Sequence, residues 1–428
     1  MLINYFFAAM TNNNHWAFFL SDRADKQLLV EQLTGKNKPD LFEGFSELKP
    51  ALFSAIAIKE LIEEEEKHEH VEVAITANRH LRFLSGGEQK KALLAYLLSQ
   101  NPGYIIVDNP MDNLDTASQK ALLLMLQKVA ATLPVIQLVN RTSDCLDFIS
   151  NAISIDDGNL WVYHDNVEAC ISQQVINGSS SFSASIPPSD HQYGLINDPL
   201  IEFKNVTVKY EERIIVNNIC WQINKGQFWH LVGPNGSGKT TLLSLITGDN
   251  PKGYGQDLIL FGKRKGSGET VWSIKEKIGY FTGSMTDLFN RYHSVEQMVI
   301  SGFFDSIGLY IKPSGRQLKL AHQWLSFIGL LQLKQTAFYK LSLGQQRLIM
   351  IVRAMVKHPP LLILDEPTVG LDDENVAIVA GLINKMAAES TTSVLYVSHR
   401  KEEGLTPGFI FELTPAERGS TGSILQNV

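Results

Sequence analysis

The chain has 428 residues, of which 44% are hydrophobic and 19% charged, with a formal net charge of -7. That length predicts two domains with ample core, and the acidic balance argues against unaided binding to bare nucleic acid. Three cysteines, Cys145, Cys170 and Cys220, are too few and too scattered for a disulfide framework or a zinc site, so no zinc and a reducing, cytoplasmic setting are expected. No stretch reaches the roughly 18 apolar residues that crossing a bilayer takes.

Residues 1–10 (MLINYFFAAM) lack the basic flank of a signal peptide and read as an initial strand, with a turn over residues 11–14. Residues 16–20 (WAFFL) read as a buried strand, and LSDRADKQ follows at 20–27. LSGGEQ at 84–89 has the form of a helix start with Ser85 as N-cap. Residues 105–107 and 135–139 are two further apolar strands, the first followed by Asp108, Asn109 and Pro110. Residues 176–199, rich in Ser, Pro, Gly and Asn, have the composition of a flexible linker.

The second half repeats this order with more residues. Residues 200–208 and 214–223 alternate as strands, and 228–232 is a short buried strand. GPNGSGKT follows at 233–240, then a helix over 241–247 ended by Gly248. LSLGQQR stands at 341–347, an apolar strand at 361–364, a helical pattern at 376–388 and a last buried strand at 394–397. Strands alternating with helices, with apolar runs on the strands, predict in each half a mostly parallel sheet covered on both faces. The first half is shortened, since only about 15 residues precede its loop strand, where the second half has a full antiparallel section.

GPNGSGKT fits the phosphate-loop pattern. Gly233, Gly236 and Gly238 let the backbone curl so that the N–H groups of Pro234's successors, Asn235 and Ser237 among them, face one oxyanion, and the following helix adds its positive end. Lys239 can reach the outer phosphates of ATP, the Thr240 hydroxyl can ligate Mg²⁺, and Thr241 lies in the same first turn. Asp365 ends an apolar strand, where a carboxylate can hold the metal through water. Glu366 is placed to polarise an attacking water, and His399, after the next strand, to bond the terminal phosphate. Tyr210 can stack on adenine or serve as an edge tyrosine.

Taken together, GPNGSGKT, LSLGQQR, LLILDEP, the Gly370-Leu371-Asp372 turn and His399 resemble the ATP-binding cassette (ABC) ATPases, and the resemblance covers both halves. Within them, HWAF at 15–18 and longer runs around 232–249, 258–280, 301–310 and 348–367 are similar to the tandem-cassette ModF (PhrA) subfamily, which is associated with molybdate-transport operons. The resemblance implies two tandem P-loop NTPase domains, each with a parallel sheet, an antiparallel β section and a helical subdomain: a degenerate one at 1–175, the linker at 176–199 and an intact one at 200–428. It also implies that cassettes pair head to tail, so that Ser85, Gly86, Gly87 and Glu88 close the ATP site of Lys239, Thr240, Asp365, Glu366 and His399. The other half-site is damaged. Leu20, Asp25 and Gln27 replace loop residues, Asn109 replaces the general base, Asn140 the histidine and Leu343 a signature glycine. Lys26 is then expected to be a solvated surface lysine. Thr282 and Gly283 stand where the family carries a metal-ligating glutamine.

The function expected is ATP hydrolysis at one competent site, in a peripheral subunit or regulator of a molybdate-type transport system with a membrane permease as partner. The alternatives are a soluble ATPase acting on ribosomes or in DNA repair, and a nucleotide-gated scaffold. SGFFDSIGLY at 301–310 offers Phe303, Phe304, Ile307 and Tyr310 either to a partner's coupling helix or to core packing, and core packing is the expectation.

Overall fold

The computed structural model describes residues 14–35, 40–68, 80–112, 114, 116–156, 159–163, 165–176, 182–189, 191–289 and 292–426. The strand expected at residues 1–10 lies outside them. The chain divides into two compact units, residues 1–178 with 371–374, and residues 179–370 with 375–428.

The first unit runs β1 (Trp16–Leu20), α1 (Lys26–Thr34), β2 (Pro50–Phe53), α2 (Ala55–His68), α3 (Gly86–Ser99), β3 (Tyr104–Asp108), α4 (Thr116–Ala130), β4 (Val135–Val139), β5 (Asn151–Asp156), β6 (Asn159–Tyr163) and α5 (Val167–Ile176). Its sheet has the order β2-β3-β4-β1-β5-β6. The pairings are parallel except β5 with β6. Successive residues of a strand face opposite sides, so a strand buried on both faces must be apolar throughout. Trp16, Phe18 and Leu20 enter one core, and Ala17 and Phe19 enter the other.

The second unit runs β7 (Ile201–Tyr210), β8 (Arg213–Ile223), β9 (Phe228–Val232), α6 (Lys239–Ile246), β10 (Asp257–Leu260), β11 (Lys263–Arg264), α7 (Val271–Lys275), β12 (Ile278–Thr282), α8 (Val295–Ser301), α9 (Gly315–Phe327), α10 (Leu343–Met355), β13 (Leu361–Asp365), α11 (Asp373–Glu389), β14 (Ser393–Ser398), β15 (Phe409–Thr414) and β16 (Thr421–Gln426). Its main sheet, β12-β13-β14-β9-β15-β16, repeats the first unit's order strand for strand, and a separate antiparallel sheet has the order β11-β10-β7-β8. The antiparallel section expected in each half is a separate sheet in the second unit alone, among the described residues. β9 lies between β14 and β15, both later in the chain, so the loop leaving its carboxyl end sits where the strand order reverses. No helix among the described residues is long and apolar enough to cross a membrane.

The segment expected to be a flexible linker is, where described, laid against the second unit. Phe182 stacks on Phe327 with ring centres 5.3 Å apart, Tyr193 Oη donates to Lys357 O at 3.3 Å, and Ile196 is buried in the main core. Its serines set the composition, but the apolar residues between them find partners, which average composition does not reveal.

His230 in β9 is buried, its Nε2 2.8 Å from Ser398 Oγ. Burial pushes its pKa down to about 4, with Glu402 pulling up and Lys401 pushing down more weakly. The unfolded chain protonates His230 near the ordinary 6.5 while the folded unit does not, so stability is lost as pH falls from about 6.5 toward 4. The full effect is about 3 kcal/mol. Urea titration of the parent chain and His230→Gln at pH 7 and pH 5 is expected to show a smaller drop in midpoint for the variant. Equal drops would rule out this source.

Candidate functional site

The second unit's phosphate loop is built by close approach. Gly238 has φ +97°, and a Cβ on it would lie 2.6 Å from Val216 Cγ1. Only glycine adopts that backbone cheaply and leaves that space. Gly236 is also left-handed, at φ +78°. A Cβ on Gly233 would lie 2.8 Å from both Leu413 O and Ser237 Oγ. α6 starts at Lys239, with Gly238 as its N-cap and no capping side chain, which leaves the first N–H groups for another acceptor. Ser237 Oγ is buried with no hydrogen-bond partner among the described residues. Such an orphan in front of a helix start suits an anionic ligand.

Lys239 is buried, and its Nζ donates to Gly233 O at 2.6 Å and Pro234 O at 3.1 Å. Burial holds its pKa below the ordinary lysine value, while Glu366 and Asp365 oppose the shift. The ammonium is thus folded onto its own loop, beside two carboxylates. Asp365 ends β13, and burial, with the neighbouring Glu366 charge, pushes its pKa up to about 6 against the pull of Lys239. A desolvated carboxylate and the Thr240 hydroxyl make an oxygen donor set that suits Mg²⁺.

Glu366 has φ +49°, and its N–H donates to Val397 O at 2.8 Å, which pins the turn after β13 to β14. Its Oε1 lies 3.1 Å from His399 Nδ1, and that hydrogen bond, with the nearby Lys239 and Arg400 charges, keeps the carboxyl below its ordinary pKa despite burial. Glu366, His399, Asp365 and Lys239 are therefore brought together. Tyr210, at the end of β7, is 44% exposed, and its Oη accepts from Asn250 Nδ2 at 2.9 Å. Two clefts flank the loop. One of about 410 Å³ is lined by Gly236, Arg213, Ile215, Arg418 and Ser420. Another of about 390 Å³ is lined by Thr240, Ser244, Tyr280, Met285, Asp305 and Arg353. Either has room for a nucleoside-sized group, whereas Thr241 adds a half-buried turn to α6.

Two residues of this neighbourhood lie in runs that the sequence singles out, Arg347 at the end of LSLGQQR and Tyr280 at the end of 258–280, but neither carried an expected role. Arg347 in α10 is buried, donates to Gly283 O at 3.4 Å and Thr286 Oγ1 at 3.3 Å, and lies 5.4 Å over the Phe281 ring. It ties the turn after β12 to α10. Its place at the end of LSLGQQR marked the segment but not this contact. Tyr280 in β12 has its pKa raised by burial and then by the Asp365 and Asp249 charges, which places it close to the metal-type carboxylate. Thr282, in the expected glutamine's stretch, is in register with Asp365.

The first unit repeats the strands and not the loop. Asp25 takes the place of Gly238 with φ -78° and ψ 87°, and its carboxylate accepts from Leu28 N at 2.9 Å. The helix start already holds an anion. Lys26 is not the solvated lysine expected, since its Nζ donates to Asp108 Oδ1 at 2.5 Å. With no phosphate nest before it, the ammonium turns to the nearest carboxylate. Asn109 keeps the left-handed turn of Glu366, at φ +42°, without an ionisable group.

The two signature-type segments have like geometry. Ser85 caps α3, its N–H and Oγ both donating to Glu88 Oε2 at 2.8 Å. A Cβ on Gly87 would lie 2.7 Å from Ser118 Oγ, whereas Gly86 starts the helix. Ser342 caps α10 with Gln345 in the same reciprocal box, and Leu343 stands in the glycine's place, its Cδ2 3.3 Å from where a Gly370 Cβ would be. In the 301–310 segment, Phe303 and Phe304 are partly buried, but Ile307 is 50% and Tyr310 87% exposed, so core packing accounts for half of it.

Lys26→Met removes the ion pair with Asp108 and no ligand contact. It is expected to leave ATP turnover within about twofold of the parent while lowering the first unit's stability by about 1 kcal/mol, read by urea unfolding. Turnover loss beyond tenfold would show that Lys26 serves a nucleotide.

The family model described as ABC transporter matches residues 216–369. The ABC transporter ATP-binding protein ModF of Escherichia coli (strain K12) is 40% identical over 337 residues, 76% of this chain and 68% of that protein. An uncharacterized ABC transporter ATP-binding protein of Schizosaccharomyces pombe is 30% identical over 328 residues, covering 75% and 66% of the two chains. The chain thus spans about two thirds of the length of both relatives. Among solved structures, a model of ribosome-bound archaeal Pelota and ABCE1 gives a TM-score of 0.64 at 15% identity over 97% of this chain and 75% of that one. RNase-L Inhibitor gives 0.62 at 16%, over 97% and 86%. At that identity the likeness shows the fold alone.

Proposed function

The chain belongs to the ABC ATPases, the family whose general activity is Mg²⁺-dependent ATP hydrolysis, and from that premise we propose that it hydrolyses ATP at one competent site, held by the second unit's phosphate loop. The observation that carries this reading is the contrast between Gly238 and Asp25. One leaves the helix start open behind a left-handed glycine; the other fills it with a carboxylate. Gly233, Gly236 and Gly238 shape the nest, and the backbone of residues 234–240 supplies donors. Lys239 leaves its own carbonyls for the outer phosphates. Thr240 and Asp365 hold Mg²⁺, which supplies charge neutralisation to the phosphates when bound.

Glu366 takes the proton from the attacking water. In the ligand-free arrangement, its bond to His399 lowers its basicity. His399 turning toward the terminal phosphate releases Glu366, which couples base strength to an occupied site. Lys239→Ala is expected to lower ATP turnover at least about a hundredfold. Glu366→Gln should bind ATP and fail to cleave it, as seen by retained, uncleaved nucleotide after gel filtration. Cleavage at the parent rate in either variant contradicts the assignment.

Ser85, Gly86, Gly87 and Glu88 form an intact signature in the unit whose own loop is filled. The complementary damage supports the reading that this signature serves the ATP held at Lys239, through pairing of the two cassettes. Ser85→Arg is then expected to lower turnover at least about tenfold, and Ser342→Arg less. The reverse ranking, measured as phosphate release, would contradict the pairing.

The likeness to a ModF protein supports a place beside an ABC transport system, with a permease as partner and with molybdate as the cargo class its operon association implies. One structural neighbour is a ribosome-bound model, and the ribosome alternative keeps only that likeness of fold in its favour. Growth of a deletion strain under molybdate limitation, with and without the Lys239→Ala chain, tests the link; equal growth of parent and deletion strain removes it.

A further inference from the structure

The second unit carries a surface that nucleotide chemistry does not use. From Ser306 to Leu364 the sequence holds no Asp or Glu, although the whole chain has 45 of them. Five cations, Lys312, Arg316, Lys319, Lys334 and Lys340, fall in its first part. Large side chains stand out among them: Tyr292 is 81%, Tyr310 87%, Ile311 58%, Ile307 50% and Tyr339 47% exposed. These form one neighbourhood. The Tyr292 and Tyr339 ring centres are 6.2 Å apart, Phe338 N donates to His293 O at 2.8 Å, and a Cβ on Gly308 would lie 3.0 Å from Tyr310 Oη and 3.2 Å from His293 Cε1. Lys312 follows Ile311 directly, and Arg316 lies in the first turn of α9. The adjoining carboxylates are engaged elsewhere, Asp305 with Lys357 at 2.6 Å and Glu296 with His322.

We propose that this face, Ile307–Ile311 with Tyr292, Tyr339, Lys312, Arg316 and Lys319, binds an anionic lipid surface. Charge complementarity selects the occupant. A segment free of carboxylates and edged by long cations meets anionic headgroups without like-charge repulsion. Tyrosines place an apolar ring and a polar tip at the level of the headgroups, and the isoleucines between them enter the acyl boundary. The side chains stand largely in solvent, which suits a deformable surface. Apolar contact plus several cations meets the need for more than one anchoring signal.

The test is co-sedimentation of the full chain with vesicles of phosphatidylcholine, with and without phosphatidylglycerol, in the absence of nucleotide. Binding is expected only with phosphatidylglycerol, and it should weaken as salt is raised. The double variants Lys312→Glu with Lys319→Glu, and Tyr310→Ser with Ile311→Ser, are each expected to lower partition at least about tenfold. Both should keep the parent's ATP turnover, which shows the fold intact and separates this face from the nucleotide site. No binding to the anionic vesicles, parent-like binding by both variants, or retention only on RNA or on vesicles carrying an integral membrane protein overturns the proposal.

Discussion

A backbone that must embrace a triphosphate can tolerate no side chain at its tightest point. At Gly238 that requirement is met twice, by a left-handed φ of +97° and by Val216 standing where a Cβ would go. Everything around the site follows from this close packing. β8 presses Val216 against the loop, and α6 begins one residue later with no side chain capping its first N–H groups. Lys239 is drawn inward over its own carbonyls, and the carboxylates at the end of β13 and in the turn beyond are half-buried beside it.

The same sheet order recurs in the first unit, which separates what a fold requires from what a binding loop requires. Six strands in the order β2-β3-β4-β1-β5-β6 survive because both faces are packed with apolar side chains. The loop after β1 carries Asp25 at the position of the left-handed glycine, and a non-glycine residue is costly there. The helix start then takes the Asp25 carboxylate, and Lys26 takes Asp108. The charges at this helix start are held by the unit's own groups. The left-handed turn at Asn109 remains as a structural feature of the strand end.

Motif spacing made the second unit's site legible, because glycine, lysine and paired carboxylates at fixed intervals have few other uses. The parallel strands were legible as short apolar runs. Less could be read where a residue's role depends on what packs against it. Lys26 gives no sign in sequence of whether it faces water or Asp108, 82 residues away. Residues 176–199 are polar on average, yet Phe182, Tyr193 and Ile196 each find a partner on the second unit. Arg347 and Tyr280 sit in runs that assign them no role, and they enter the site's surroundings by burial and register. The exposure of Ile307 and Tyr310 likewise needs the fold, since an apolar residue in sequence is read as core by default.

The central claim is that one loop, and not two, takes a nucleotide. Native mass spectrometry of the parent chain with Mg²⁺ and a non-hydrolysable ATP analogue measures this directly. One nucleotide per chain, with an azido-adenine analogue cross-linking only to peptides beyond residue 200, is the outcome that agrees with an open Gly238 and a filled Asp25. Two nucleotides per chain, or cross-links in the peptides around Lys26, would show that the first loop opens to a ligand and that the asymmetry described for the two helix starts does not govern binding.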